Sequence, residues 1–139
     1  MRETKFRVWC EFEIDGEIHK CMESSASWFL LTQTGTLWSY GPTTPPQPIE
    51  KEYKKAIPLF YTGLKDKNGI EIYEGDIIKH LMTWLPEPEY LNEAIEWNEA
   101  IAGFSPFCVY DSDCGIIVDI DTVIVIGNVY EHPNLLVAK

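Results

Sequence analysis

The stretch YTGLKDKNGIEIYEGDIIK, from Tyr61 to Lys79, is the most informative part of the sequence because it places two turn signals close together. The first signal is NG at positions 68–69, the second is EGD at 74–76, and the short run IEIY lies between them. An Asn-Gly pair favours a tight hairpin turn with positive φ, and a glycine before an apolar run lets the chain diverge into a new strand. The stretch therefore predicts the corner of a small β-barrel.

Two other interpretations of these glycines are a phosphate-binding loop and a metal loop. A P-loop needs the pattern GxxxxGK[ST], whose backbone amides surround the phosphate while the lysine neutralises it. Asp76 stands where that lysine would be, and the carboxylates of Glu74 and Asp76 would repel a phosphate. A calcium loop needs a run of alternating oxygen ligands that ends in a glutamate at the twelfth position. The barrel corner is thus the favoured interpretation.

A second acidic cluster, DSDCG at 111–115, begins like a calcium loop. However, Ile116 stands where the sharp turn of that loop requires glycine, and Thr122 stands where its bidentate glutamate belongs. Asp and Ser side chains also stabilise ordinary turns through local hydrogen bonds. We therefore expect a turn here, with no metal and no other cofactor.

Length and charge limit the function classes. The 139 residues indicate one domain, or one domain with a satellite hairpin. The formal net charge of −11 repels a phosphate backbone, whose binding needs clustered lysine and arginine. A nucleic-acid-associated small β-barrel is the alternative function, and it requires six lysines to converge on one face. These are Lys51, Lys54, Lys55, Lys65, Lys67 and Lys79.

No feature of the sequence directs the chain to a membrane. No apolar run approaches the roughly 20 residues of a membrane span, and the N-terminal sequence MRETKFRVWCEFEI lacks the continuous apolar core of a signal peptide. We therefore expect a cytoplasmic protein. In that compartment the four cysteines, Cys10, Cys21, Cys108 and Cys114, are expected to stay as thiols.

Alternating apolar and charged residues from Phe6 to Met22 predict a hairpin that turns at DG, positions 15–16. A two-residue loop would pair Cys10 with Cys21 but would split the apolar residues between the two faces. A three-residue loop pairs Cys10 with Met22, places Cys21 opposite Glu11, and gathers the apolar residues on one face. Because burial selects the register, we expect the second pairing and no disulfide between Cys10 and Cys21.

The rest of the chain is typical of short strands. A second hairpin is predicted from Ser27 to Tyr40, and the segment GPTTPPQP at 41–48, whose prolines exclude a ladder or a helix, is either a linker or a surface loop. Strands are predicted at 56–61 and 76–82, and the β-branched run at 116–129 predicts one long or two short strands. Residues 90–104 fit a helical face or alternating strands, and local propensity favours the helix. The tail EHPNLLV predicts one helical turn that begins with Pro133.

The residues that usually carry catalysis form no recognisable motif. His19, His80 and His132 are isolated in the sequence, and neither HxxxH nor CxxC occurs. The gap between Cys108 and Cys114 is too wide for a usual zinc knuckle. We therefore expect that the chain is not an enzyme.

Aromatic side chains are the remaining feature with a functional interpretation. Most of them are expected to fill the core of a small barrel, and a minority to form an exposed groove for a protein partner. The candidate partner-binding aromatics are Tyr61, Tyr73, Trp84, Trp97, Phe104 and Tyr130.

Three blocks of the chain resemble the YopX family of phage- and prophage-encoded proteins. The block TGLKDKNGIEIYEGDII is similar to the family's signature, RETKFRVWCEFEIDGEIHKCM looks like its first hairpin, and VIVIGNVYEHPNLL is similar to its closing strand and short helix. The resemblance implies a phage or prophage accessory protein of unknown activity, mainly β, with a small SH3-like barrel in its C-terminal part. It also implies that AIEWNEAIAGFSPF is a pair of strands.

The expected architecture is mainly β, with an N-terminal β-hairpin region at 1–45, a small SH3-like β-barrel at 46–139 and one short C-terminal helical turn. The expected function is a non-enzymatic module, in the cytoplasm of the bacterial host, that binds a host or phage protein. Trp9, Trp28 and Trp38 crowd an N-terminal region too short for its own core. We therefore expect these hairpins to pack on the barrel or to form a homo-oligomer with another copy of the chain.

Overall fold

The structure, a computed structural model, describes residues 5–23, 28–49, 53–82, 85–107, 110–111, 115–116 and 118–136. The chain divides into two units: an N-terminal unit, Lys5–Phe60, and a C-terminal unit that begins at Tyr61. The described residues form antiparallel strands and short 3-10 turns, so the predicted mainly β class is confirmed. The SH3-like barrel and the boundary after residue 45 stay predictions.

The N-terminal unit is built on its first strand, β1, which has an antiparallel neighbour on either side. The strands are β1 Phe6–Ile14, β2 Glu17–Glu23, β3 Phe29–Leu31, β4 Leu37–Ser39, β5 Gln47–Pro48 and the first half of β6 Lys55–Lys65. β1 pairs with β2 and β6, while β3, β4 and β5 form a separate three-stranded sheet. Both predicted hairpins are therefore confirmed.

The register of the first hairpin differs from the prediction. Asp15 and Gly16 form a two-residue turn with φ values of 52° and 84°, so Cys10 lies directly opposite Cys21. Two successive positive φ values match the right-handed twist of paired strands, and this turn geometry sets the register. Burial does not select it because the tip is uncovered, with Ile14 51 % exposed. The predicted three-residue loop is wrong.

The proline-rich segment at 41–48 is a loop that ends in a strand. Gly41 and Thr44 exchange backbone hydrogen bonds of 3.0 and 3.3 Å, which close a turn. Gln47 and Pro48 then form β5 and pair with β4. The expectation that the prolines exclude a ladder is wrong for these two residues, because an edge strand tolerates a proline.

The core of the N-terminal unit lies on one face of β1. Val8 and Cys10 are fully buried there, and Phe29 and Leu37 pack against them. The ring of Tyr53 lies 5.4 Å from the ring of Phe29 and extends this cluster. The two-residue period of a strand thus places alternate side chains of β1 in the core.

The C-terminal unit has β8 at the centre of a three-stranded sheet, between β14 and β9. Its strands are the second half of β6, β7 Glu71–Tyr73, β8 Asp76–Met82, β9 Glu89–Ala94, β10 Glu96–Asn98, β11 Gly103–Ser105, β12 Tyr110–Asp111, β13 Gly115–Ile116 and β14 Ile124–Asn128. The 3-10 turns are Ile120–Thr122 and Pro133–Leu136. The second turn confirms the helical turn that the sequence predicts at Pro133.

Residues 90–104 form strands, so the favoured helix is wrong and the strand pair implied by the resemblance is confirmed. β9 pairs with β8, and β10 pairs with β11. Between β9 and β10, Ile95 donates a 2.8 Å hydrogen bond to the carbonyl of Asp76 and accepts one of 2.8 Å from the N–H of Gly75. Pairing with distant backbone therefore overrides local helical propensity.

The β-branched run at 116–129 is divided in two, which is one of the two predicted outcomes. The side chain of Asp119 caps a 3-10 turn by accepting a 3.0 Å hydrogen bond from the N–H of Asp121. β13 ends before this turn and β14 begins after it. The turn expected at 111–115 lies partly outside the described residues, but Asp111 and Gly115 pair across it.

The core of the C-terminal unit consists of aliphatic side chains that are at most 5 % exposed. They are Ile72, Ile78, Ile95, Val118 and Val123. Phe104, Phe107 and Val125 are half-buried and pack against this cluster. The core therefore lies beneath both β8 and the start of the β10–β11 hairpin.

Candidate functional site

The corner at 66–70 is organised by the carboxylate of Asp66. Its Oδ1 accepts hydrogen bonds from the backbone N–H groups of Asn68 at 2.8 Å and Ile70 at 2.9 Å. Its Oδ2 accepts a third hydrogen bond from Val125 at 3.0 Å. Gly69 has a φ of 83°, as the predicted turn requires. The amides of this corner are therefore bound by the protein's own carboxylate.

The pKa of Asp66 follows from these contacts. Burial acts to raise it, because the residue is only 6 % exposed. The N–H donors of Val125, Ile70 and Asn68 outweigh burial and lower the pKa of Asp66 below its ordinary value. The ionised carboxylate thus serves the structure of the corner.

The second corner, at 74–76, connects three parts of the C-terminal unit. Gly75 has a φ of 86°, donates to the carbonyl of Ile95 at 2.8 Å and accepts from the N–H of Val129 at 2.8 Å. Oδ2 of Asp76 accepts a 2.8 Å hydrogen bond from the N–H of Tyr73. Both turn signals of the opening stretch are therefore structural.

The structure brings four of the six candidate aromatics together as two pairs. The rings of Tyr61 and Tyr73 are 5.4 Å apart, and each residue is 8 % exposed, so this pair belongs to the buried interior. The rings of Trp97 and Phe104 are 5.1 Å apart in an edge-to-face arrangement. The second pair is the one with access to solvent.

The other two candidates are placed apart from these pairs. Tyr130 is half-buried, and its pKa is raised by burial and by the nearby charge of Glu74. Trp84 lies outside the described residues. Neither residue adds to the exposed aromatic surface that the structure describes.

The β10–β11 hairpin exposes two large apolar side chains. Trp97 is 45 % exposed, and Ile101, at the hairpin tip, is 52 % exposed. Phe104 packs against the core and contacts Trp97. We call Trp97, Ile101 and Phe104 the hairpin face. Sequence reasoning missed Ile101. Its position between the two strands that the resemblance implies could have indicated an exposed hairpin tip.

A cleft of about 330 Å³ lies beside the same hairpin. Its lining includes Asn92, Glu93, Ala94, Glu96, Ser105 and Leu136. Glu96 lies opposite Ser105 in the β10–β11 register, and Asn92 donates a 3.1 Å hydrogen bond to the carbonyl of Leu135. We call it the acidic cleft because its charged lining residues are Glu93 and Glu96.

Glu93 is held by a buried histidine. Nε2 of His80, a fully buried residue, lies 3.1 Å from Oε2 of Glu93. Nδ1 of His80 has no hydrogen-bond partner among the described residues. The tautomer with its proton on Nε2 fits both observations, because it donates to the carboxylate and leaves no buried N–H unpaired. The position of His80 two residues after Ile78, on the inward face of a strand, was a signal that sequence reasoning did not use.

Negative charge is concentrated in the C-terminal part of the chain. Residues 80–138 contain no lysine or arginine and ten carboxylates, six Glu and four Asp, so they carry −10 of the net −11. The exposed carboxylates near the hairpin face and the acidic cleft in sequence include Glu87, Glu89, Glu96 and Glu99. The field around both features is therefore negative.

Two of the six lysines that the nucleic-acid alternative requires have partners within the protein. Nζ of Lys54 lies 2.7 Å from the carboxylate of Glu13. Nζ of Lys79 lies 5.1 Å from the ring centre of Tyr90. Lys51 lies outside the described residues. Convergence of the six lysines stays a prediction.

Cys10 and Cys21 lie opposite each other and keep their thiols. Because the two side chains share a face, the predicted reason against a disulfide does not hold. Burial, with the added effect of Cys21 and Glu23, raises the pKa of Cys10 to about 12. The thiolate is the reactive form, so Cys10 is a poor nucleophile at neutral pH.

Within the described ranges, no three His, Cys, Asp or Glu side chains are grouped to hold a metal ion. The same ranges contain no helix that is long and apolar enough to cross a membrane.

Comparisons with known proteins place the chain in a family. A search of curated proteins finds no significant match. The crystal structure of protein EF1440 from Enterococcus faecalis is similar, with a TM-score of 0.55, 22 % sequence identity and coverage of 99 % of this chain and 100 % of that chain, a likeness that shows the fold alone. The family model described as YopX protein matches residues 5–137. This match confirms the resemblance seen in the three sequence blocks, and the chain belongs to the YopX family.

Proposed function

We propose that this chain is a phage or prophage accessory protein, a non-enzymatic module that binds a host or phage protein through the hairpin face. The observation that carries the proposal is Trp97, which is 45 % exposed on a short hairpin. Tryptophan is among the residues that most often dominate binding energy at protein interfaces. Ile101, 52 % exposed on the same hairpin, supplies further apolar area.

The packing of Trp97 supports this role. Its ring meets the ring of Phe104 at 5.1 Å with an interplanar angle of 72°, and Phe104 packs in turn against the core of the C-terminal unit. An aromatic side chain that is already oriented loses less conformational entropy on binding. The hairpin face is thus suited to act as an anchor.

The charged and thiol groups with shifted pKa values support a non-enzymatic role. The lowered pKa of Asp66 comes from backbone donors that build a corner. The raised pKa of Cys10 makes its thiol less reactive. Both groups serve the fold. The negative field of residues 80–138 favours a protein partner over a nucleic acid.

Affinity capture with matched tryptophan variants tests the proposal. Wild-type chain, Trp97→Ala and Trp28→Ala are immobilised and exposed to lysates of a bacterial host before and after prophage induction, and bound proteins are quantified by mass spectrometry. Trp28 is the matched control because it is also 45 % exposed and also has an edge-to-face neighbour, Tyr40 at 5.8 Å.

The proposal expects at least one protein that wild type and Trp28→Ala retain and that Trp97→Ala retains about 30-fold less, the effect of losing a strong anchor residue. Equal retention by wild type and Trp97→Ala would contradict it. Loss of retention in Trp28→Ala alone would also contradict it, because the contact would then lie in the N-terminal unit.

A further inference from the structure

We propose that the acidic cleft receives a lysine or arginine side chain from the bound partner, so that the partner contributes a basic segment with at least one apolar residue. This inference rests on the proposed function and specifies the chemistry of its partner.

The charge of the cleft is the first reason. Glu93 and Glu96 line it, and residues 80–138 supply no lysine or arginine to neutralise them. Lys79 lies opposite Asn92 in the β8–β9 register, and its ammonium lies 5.1 Å from the ring centre of Tyr90. A partner that brings positive charge is therefore complementary to this surface.

The size of the cleft and the apolar residues in its mainly polar lining are the second reason. Its volume of about 330 Å³ is at the small end for ligand sites, which suits a side chain better than a cofactor. Ala94, Pro106 and Leu136 contribute to its lining, and Leu136 is 41 % exposed. Lysine and arginine lay their aliphatic stems along such residues while the charged group meets carboxylates. The exposed Leu136 favours an apolar residue next to the cation.

The position of Glu93 is the third reason. Its carboxylate is fixed by the 3.1 Å contact with His80, whose side chain is 1 % exposed, yet the Glu93 side chain itself is still 35 % exposed. A carboxylate that is already oriented and still reachable binds a cation without first being ordered. His80 therefore acts as a positioning residue for Glu93.

Other occupants fit this surface less well. A nucleic acid would bring phosphates against Glu93 and Glu96. A second copy of the chain would bring its own net charge of −11. The carboxylates repel both, so a basic protein segment is the occupant that the charges favour.

Nuclear magnetic resonance titration of the 15N-labelled full chain tests this inference without the natural partner. The probes are the acetylated, amidated peptides KLKLK, KGKGK and ELELE, together with a single-stranded oligothymidylate, at low ionic strength. The variants are Glu96→Gln and the control Glu99→Gln. Glu99 is exposed on the same hairpin but does not line the cleft, so its substitution removes the same charge from a neighbouring position.

KLKLK should bind more tightly than KGKGK and should shift the amide signals of Asn92, Glu93, Glu96 and Ser105. ELELE and the oligothymidylate should not shift these signals. Glu96→Gln should weaken KLKLK binding roughly threefold and Glu99→Gln should change it less, because only Glu96 lines the cleft. Added salt should weaken the binding further.

Equal losses in Glu96→Gln and Glu99→Gln would overturn the inference, because they would indicate diffuse attraction to an acidic surface. Shifts of the cleft signals by the oligothymidylate, or by raising the protein concentration without peptide, would overturn it too. Failure of the peptide titration alone leaves the Trp97-dependent capture standing, so the two proposals fail separately.

Discussion

The carboxylate of Asp66 accepts a 3.0 Å hydrogen bond from the backbone N–H of Val125, across 59 residues of sequence. Next to it, the N–H of Lys67 donates a 3.0 Å hydrogen bond to the carbonyl of Val123. These two bonds fasten the corner at 66–70 to the start of β14. The corner therefore connects β6 and β7 directly and also binds the start of β14, which is distant in sequence.

Replacing Asp66 with asparagine should destabilise the protein. One oxygen that accepts backbone N–H groups would become an amide donor, which leaves at least one buried N–H without its acceptor and costs about 1–3 kcal/mol. Urea denaturation measures the free energy of unfolding of each variant. The control is Asp119→Asn, an exposed cap that accepts from Asp121 at 3.0 Å and that asparagine replaces well. Equal losses in both variants would refute the role assigned to Asp66.

The stability that Asp66 contributes should depend on pH. Since the N–H donors lower the folded-state pKa of Asp66, its contribution is full above the unfolded pKa, about 3.9, and is lost as the pH falls through the folded value. The difference in unfolding free energy between wild type and Asp66→Asn should therefore shrink as the pH is lowered below about 4. A difference that is constant from neutral to acidic pH would contradict this expectation.

Gly127→Ala should destabilise β14 by steric overlap. A Cβ at this position would lie 2.8 Å from Nδ1 and 2.9 Å from Cγ of His132, and such overpacking costs about 1–3 kcal/mol. Gly41→Ala is the control, because its nearest neighbour, the side chain of Thr44, is 3.6 Å away. Thermal unfolding compares the two. His132→Ala should restore part of the loss in Gly127→Ala, and an absence of rescue would point to another cause.

Cys10 should resist alkylation in the folded protein. Its side chain is fully buried and its pKa is about 12, so the thiolate is scarce at neutral pH. In a Cys108→Ser/Cys114→Ser background, iodoacetamide should modify Cys21, which is half-buried, well before Cys10. Mass spectrometry of digested protein measures both rates, and urea should make the two rates similar. Equal rates in the native protein would disagree with the burial of Cys10.

The tip of the first hairpin should support self-association. Ile14 is 51 % and Ile18 is 46 % exposed, on a hairpin whose outer strand, β2, is at the edge of its described sheet. Exposed edges of this kind tend to pair with a second chain. Light scattering at micromolar concentration should give twice the monomer mass, and Ile14→Lys/Ile18→Lys should give the monomer. A monomeric wild type would rule out this contact.

The corners and the strands of the C-terminal unit could be predicted from sequence because their signals are local. NG and EGD impose positive φ at Gly69 and Gly75, and β8 begins at Asp76 and ends at Met82, as the sequence predicts. The strands at 90–104 were indicated only by the family resemblance. The hydrogen bonds that hold this segment join Ile95 to the corner at 74–76, which is distant in sequence.

The features that sequence reasoning missed depend on geometry that a linear pattern does not contain. The first hairpin takes its register from the turn at Asp15, not from apolar faces, because no other element covers its tip enough for burial to decide. The acidic cleft is assembled from β9, β10, β11 and the turn at 133–136, and the contact of His80 with Glu93 crosses between β8 and β9. The sequence shows that residues 80–138 carry no lysine or arginine, but it does not show that Glu93 and Glu96 line the same cleft.

Whether the hairpin face binds a protein partner is measured by calorimetry, as the dissociation constant of a partner recovered in the capture experiment. Wild type, Trp97→Ala and Trp28→Ala are compared in one buffer. The predicted result is binding at least about 30-fold weaker for Trp97→Ala and within about twofold of wild type for Trp28→Ala. Equal affinities of wild type and Trp97→Ala would contradict binding through the hairpin face.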